Sequence, residues 1–176
     1  MNPAGNHCVS LKLDITGAIE FRMRFNADMA ETSRTRVVAA PPEVVWRLLA
    51  DFGALSSWAR NIDHSCLLEH GPDPIGTSRR VQVGENTFVE RITEFTAPRT
   101  LAYDIEGLPP KLGRVSNRWS LRPAGPGSTE VTLTSSVEIG RNPVARLAEK
   151  AACQVLAKQS DPMLAGLAAK VEGSHD

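Results

Sequence analysis

The sequence predicts an α+β fold in which a curved antiparallel sheet wraps around one long helix. Three observations predict it: a proline-led helix follows the first strand of the main pattern, strands run without helical interruption from residue 62 to 139, and one long amphipathic helix ends the chain. At 176 residues, 41% of them hydrophobic, the chain is long enough to bury a real core, and one domain is expected over residues 29–176.

Residues 1–28 stand outside that pattern. Leu11 to Phe25 (LKLDITGAIEFRMRF) alternates weakly like a strand, whereas Met29 opens MAETSRTRVVAAPPEVVW, which reads as a natural start. The first 28 residues are therefore expected to be a disordered arm or a misassigned extension. From Thr32 to Ala39 (TSRTRVVA) β-branched residues predict a strand. Pro41, Pro42 and Glu43 then supply the fixed φ and the acidic first turn that start a helix. Its Val44, Val45, Leu48 and Leu49 recur at helical spacing beside Trp46, and Gly53 ends it after about Asp51. A second short helical turn is expected from Ala54 to Trp58.

Six strands follow: Ile62 to Glu69, Gly76 to Val83, Asn86 to Phe95, Thr100 to Glu106, Arg114 to Arg122 and Ser128 to Ile139. Turn chemistry separates each pair, at Gly71-Pro72-Asp73-Pro74, Gly84-Glu85, Ala97-Pro98, Gly107 to Pro110 and Pro123 to Gly127. No helical pattern intervenes, which argues against parallel βαβ units. The last helix is expected from Val144 to Val171, with Asn142 as its cap, Pro143 at its first position, and Val144, Leu147, Ala151, Val155, Met163, Leu167 and Val171 near one face. Pro162 removes one hydrogen bond and crowds the preceding turn, so a kink or break is expected at Ser160 to Asp161, as a simple bend or as a hinge that gates a pocket.

The two-residue Gly84-Glu85 loop fixes the hairpin register, so that Val83 faces Asn86, Val81 faces Phe88 and Arg79 faces Glu90. Alternation then gathers Arg79, Val81, Phe88, Glu90 and Ile92 with Leu101, Tyr103 and Ile105 on one face. Later strands add Val115, Asn117, Trp119, Leu121, Val131, Leu133, Ser135 and Val137 to it. The apolar majority marks this as the inner face, and a sheet closed around one helix implies a cavity with a few polar fixtures.

The runs PPEVVWRLLADFGALSSWA, IGTSRRVQV, FVERITEFTAPRTLAYDI and NRWSLRPAGPGSTEVTLT, followed by the amphipathic helix, resemble the START-like (SRPBCC) superfamily in its polyketide cyclase/dehydrase and lipid-transport branch. The resemblance covers roughly Thr32 to Val171. It implies a helix-grip fold: a seven-stranded antiparallel sheet around the C-terminal helix, two small helices closing one end, and a hydrophobic cavity between them. It also implies that Glu90, in its FVERI context, faces the cavity. Fold analogy does not supply chemistry, because this scaffold hosts carriers, hormone sensors and cyclases.

Each candidate residue has two readings. Trp58 packs the helix pair on the sheet or forms an apolar wall at the pocket mouth. Arg79 and Glu90 form a cross-strand ion pair that fixes register, or Arg79 anchors a ligand carboxylate, carbonyl or phenolate while Glu90 orients it. Tyr103 and Asn117 satisfy each other in the core or bond a ligand. The predicted ligand-binding set is Trp58, Arg79, Val81, Phe88, Glu90, Tyr103, Asn117, Trp119, Ser135 and Val155. Binding or carriage of a small hydrophobic molecule such as a lipid, polyketide or terpenoid is the leading expectation. The alternative is a cyclase, aromatase or dehydratase using the same cavity, with Glu90 or Tyr103 moving a proton and Arg79 stabilising an enolate-like oxygen. A third reading is an interaction module whose own side chains fill the cavity.

Other classes find no support. Lys plus Arg equals Asp plus Glu at 20 each and no basic stripe with interleaved aromatics occurs, which argues against nucleic acid. His64 and His70 lack a second ligand at metal spacing, so neither metal nor cofactor is expected. Ser135, Ser136, His64 and Asp63 form no nucleophile elbow, and Gly125-Pro126-Gly127 is a turn, not a phosphate loop. The three cysteines show neither CxxC nor zinc spacing, and Cys66 and Cys153 read as buried apolar fillers. With no membrane-spanning run and no secretory pattern at the N-terminus, a cytoplasmic location is expected. The sequence leaves oligomeric state open.

Overall fold

The computed structural model describes residues 8–11, 20–26, 29–108, 113–138 and 143–173, and side chains for 30–108, 113–138 and 153–173. In chain order these form β1 (Cys8–Leu11), β2 (Glu20–Asn26), β3 (Met29–Val38), α1 (Pro42–Ala50), a 3-10 helix (Phe52–Ser57), β4 (His64–Glu69), β5 (Ser78–Val83), β6 (Asn86–Thr96), β7 (Thr100–Glu106), β8 (Arg114–Gly125), β9 (Ser128–Glu138) and α2 (Pro143–Glu172). The expected Asn142 cap, the end of the last strand at Ile139 and the Pro109-Pro110 part of the turn before β8 lie outside the described residues.

All pairings are antiparallel, in the order β1-β2-β3-β9-β8-β7-β6-β5-β4. The seven strands β3 to β9 are the curved helix-grip sheet that the pattern predicts. β1 and β2, cut from the stretch set apart in the sequence, extend it beyond β3, with Phe21 opposite Arg34 and Phe25 opposite Ala30. α2 lies across β3 and β9, and α1 meets its C-terminal half.

The β5–β6 hairpin has the expected register: Val83 pairs with Asn86, Val81 with Phe88 and Arg79 with Glu90. Gly84 turns it with φ 57°, a conformation that costs glycine little. A bulge between Ile92 and Glu94 adds one residue, which returns Phe95 to the inner face, where its ring meets Trp46 edge-on at 4.9 Å. The main core joins Val45, Leu49, Phe52 and Leu55 to Leu101, Trp119 and Leu133 of the sheet and to Leu164 and Leu167 of α2. A second, smaller cluster of Ala30, Val115, Val137 and Cys153 sits toward the opposite end of the inner face.

Three expectations need correction. α2 runs through Pro162 without a break, with Ser160 Oγ donating to the Leu156 carbonyl and the flanking Met163, Leu164 and Leu167 anchored in the core. Buried packing offsets the one hydrogen bond that proline deletes. Val155 is not on the core face but 60% exposed. The buried α2 residues Cys153, Ala157, Ser160, Leu164, Leu167 and Val171 follow the 3.6-residue period, and Val155 falls more than 100° away from Leu167. Cys66 is exposed rather than buried, because β4 ends the sheet order and most of its residues face solvent.

Candidate functional site

The inner face carries a buried ion pair. Arg79 on β5 donates from Nε to Glu90 Oε2 on β6 at 2.6 Å, and from Nη1 to the backbone carbonyl of Phe52 at 2.7 Å. Its guanidinium carbon lies 3.9 Å from the centre of the Phe52 ring and 5.0 Å from that of Tyr103. Cation–π attraction and two charge-assisted bonds therefore hold the same group. The side chain of Arg79 is 3% exposed and that of Glu90 8%, so the carboxylate is the more open partner. Glu90 Oε1 takes no hydrogen bond from any described residue.

A second polar set crosses the sheet in one row. Tyr103, Asn117, Ser135 and Thr32 are successive cross-strand partners on β7, β8, β9 and β3. Ser135 Oγ donates to Asn117 Oδ1 at 2.6 Å, Asn117 Nδ2 donates to the Tyr103 hydroxyl at 3.3 Å, and Trp119 Nε1 donates to the same hydroxyl at 3.5 Å. Thr32 Oγ1 and Trp58 Nε1 are buried and have no partner among the described residues. Tyr103 is 0% exposed, with Phe52 edge-on at 5.6 Å. Burial, reinforced by the nearby Glu90 carboxylate, pushes its phenol up to about 12 against the pull of Arg79 and the two donors.

Coverage of the inner face is uneven. Val81, Leu101, Tyr103 and Trp119 are buried beneath α1, the 3-10 helix and the C-terminal half of α2. Val83, Phe88, Ile105 and Leu108, toward the β5–β6 turn and the β7–β8 connection, are only half-buried. Glu90 borders this part, two residues from Phe88 on β6 and directly opposite Ile105 on β7.

The structure thus brings together Arg79, Val81, Phe88, Glu90, Tyr103, Asn117, Trp119 and Ser135 on one face of the sheet. Trp58 joins them through an edge-on contact with Trp119 at 6.0 Å. Val155 does not join. It shares an α2 face with Gln159 and Gly166, which meet Asn61 and Trp58, and lies one turn beyond that contact. Phe52 was missed in the sequence, since its contribution is a carbonyl as much as a ring, and so was Thr32, which alternation along β3 places on the inner face.

An open trough of about 300 Å³ lies instead on the outer face, lined by Glu31, Asp104, Arg114, Ser116, Arg118 and Ser136 among others. Several of its charged groups are engaged by neighbours, Arg118 by Glu94 among them. Arg114 bonds Asp104 at 2.8 Å, which holds the guanidinium above its usual range, and Ser136 Oγ bonds Glu31 at 3.2 Å. Among the described residues no cluster of His, Cys, Asp or Glu could hold a metal ion, and no helix is long and apolar enough to cross a membrane.

Solved structures share this architecture. The ZhuI aromatase/cyclase from Streptomyces sp. R1128 superposes with a TM-score of 0.68 at 23% identity, over 82% of this chain and 94% of that one. A START superfamily protein from Mycobacterium smegmatis gives 0.63 at 23% identity, over 81% and 97%. The di-domain ARO/CYC BexL of the BE-7585A biosynthetic pathway gives 0.67 at 16%, over 84% of this chain and 51% of that one. At these identities the likeness establishes the fold. No curated protein matches the chain in sequence. The family described as polyketide cyclase / dehydrase and lipid transport matches residues 29–172, and the chain belongs to it.

Proposed function

We propose that the protein binds a small hydrophobic molecule between the inner face of the sheet and the N-terminal half of α2. The observation that carries the reading is the half-buried apolar surface of Val83, Phe88, Ile105 and Leu108, bordered by a buried carboxylate with one open oxygen. Apolar burial supplies the affinity, at about 25 cal/mol per Å² before the costs of association, and the few polar groups fix orientation.

The aromatase/cyclases among the structural neighbours favour a second reading, in which the bound molecule is also turned over. Glu90 is then the acid-base group, because Tyr103 is enclosed and its proton is held up to about 12. Titration with the apolar fluorophore N-phenyl-1-naphthylamine tests binding, with Phe88→Glu as the control that spoils the apolar surface. A saturable signal lost in the variant, with circular dichroism unchanged, supports the reading. No signal in the wild type, or an equal one in the variant, overturns it. Native mass spectrometry with organic extraction identifies a co-purifying ligand. A substrate that Glu90→Gln still binds but turns over about 10² to 10⁴ times more slowly would establish the enzyme.

A further inference from the structure

We infer that the site selects an uncharged ligand carrying a hydrogen-bond donor, a phenol, enol or alcohol, and rejects carboxylates. The inference rests on the binding reading above and gives the bound molecule its chemistry. A sheet face with an arginine suggests an anchor for an anion. The geometry assigns that arginine elsewhere: Nε is engaged by Glu90, Nη1 by the Phe52 carbonyl, and the guanidinium carbon sits 3.9 Å from the centre of the Phe52 ring. What remains of its N–H groups is enclosed, since the side chain is 3% exposed.

A molecule lying on Phe88 and Ile105 meets Glu90 first. Oε1 of that carboxylate has no partner among the described residues, in a side chain only 8% exposed, so it is an acceptor largely shielded from bulk water. An O–H placed there gains a bond to a charged acceptor, which is among the stronger neutral-ligand contacts. A ligand carboxylate placed there sets two anions side by side, with the positive charge of Arg79 already shared with Glu90. Arg79 is on this account a positioning residue, which holds the carboxylate in place and aims its free oxygen.

The test is competition against N-phenyl-1-naphthylamine by three probes on one ring system: 2-naphthol, 2-methoxynaphthalene and 2-naphthoate, at neutral pH. 2-Naphthol is expected to bind about tenfold or more tighter than 2-methoxynaphthalene, which cannot donate, and 2-naphthoate weakest of all. In Glu90→Gln, whose amide oxygen still meets Arg79, the gap between naphthol and naphthoate is expected to shrink at least tenfold. Naphthoate binding as tightly as naphthol to the wild type overturns the inference and leaves the binding reading standing, as do three equal affinities. Failure of the fluorophore itself to bind removes both. The wild-type ranking stands as a complete test if the variant does not fold.

Discussion

Arg79 and Glu90 sit directly opposite each other on β5 and β6 and are joined at 2.6 Å, with 3% and 8% of their side chains exposed. A pair so placed has lost most of its hydration, and each charge depends on the other. The third partner is the Phe52 carbonyl, at the start of the 3-10 helix that covers the inner face. One guanidinium therefore ties the hairpin to the helical cover.

Arg79→Met is expected to cost about 3–5 kcal/mol in urea denaturation, because the carboxylate stays behind without its counter-charge. Glu90→Leu should cost a similar amount. The double variant Arg79→Met/Glu90→Leu should be well short of the sum, since no charge is then stranded. Additive losses would mean that the two groups do not stabilise one another.

Tyr103 is the only tyrosine of the chain, so absorbance of its phenolate reports one group. Its phenol ionises near 12 in the fold against about 10 in an unfolded chain. The fold keeps its proton longer, so the stabilisation is complete below about pH 10 and is lost as pH rises toward 12, by about 1–3 kcal/mol. A native titration midpoint that does not differ from the one in denaturant would refute this. Tyr103→Phe should abolish that alkaline slope while lowering stability at neutral pH, because Trp119 and Asn117 lose their acceptor.

Asn117 is the middle of the polar row, accepting from Ser135 and donating to Tyr103. Asn117→Leu is expected to leave the Ser135 hydroxyl unpaired and the Tyr103 hydroxyl with one donor fewer, at about 1–3 kcal/mol for a buried group left unsatisfied. Ser135→Ala leaves Asn117 Oδ1 without its donor but keeps the Nδ2 bond to Tyr103, so one group is disturbed instead of two, and it should cost less, about 1 kcal/mol. Chemical denaturation separates the two, and equal losses would show that Asn117 does not organise the row.

The register of Arg79 on Glu90 was legible because a two-residue turn leaves only one alignment of an antiparallel hairpin. The inner set from Val81 to Val137 was legible for a similar reason: a period of two cannot slip without exposing every apolar side chain. α2 was harder to phase. A helix face drifts over thirty residues, so small errors in the assumed period moved Val155 from an exposed position into the stripe. The bond from Arg79 to the Phe52 carbonyl had no sequence signal at all, since every residue carries the same carbonyl and only the fold chooses one. Cys66 misled because apolar character says nothing about which strand closes a sheet.

Gly166 lies where α2 closely approaches the backbone at Trp58 and Ala59. A Cβ added there would run into the Trp58 carbonyl oxygen and lie 3.4 Å from the Ala59 Cα, both backbone atoms. Neither can swing aside as a long side chain would, so the helix itself must lift from the 3-10 helix exit. Replacing a helical glycine by alanine at an open position gains up to about 1 kcal/mol from propensity. Overpacking here is expected to exceed that gain, costing about 1–3 kcal/mol before the propensity credit. Gly166→Ala should therefore lower the urea midpoint. Because Trp58 meets Trp119 edge-on at 6.0 Å, it should also alter the tryptophan bands in near-ultraviolet circular dichroism. A variant that is more stable than wild type with unchanged tryptophan bands would show that α2 and Trp58 do not come this close.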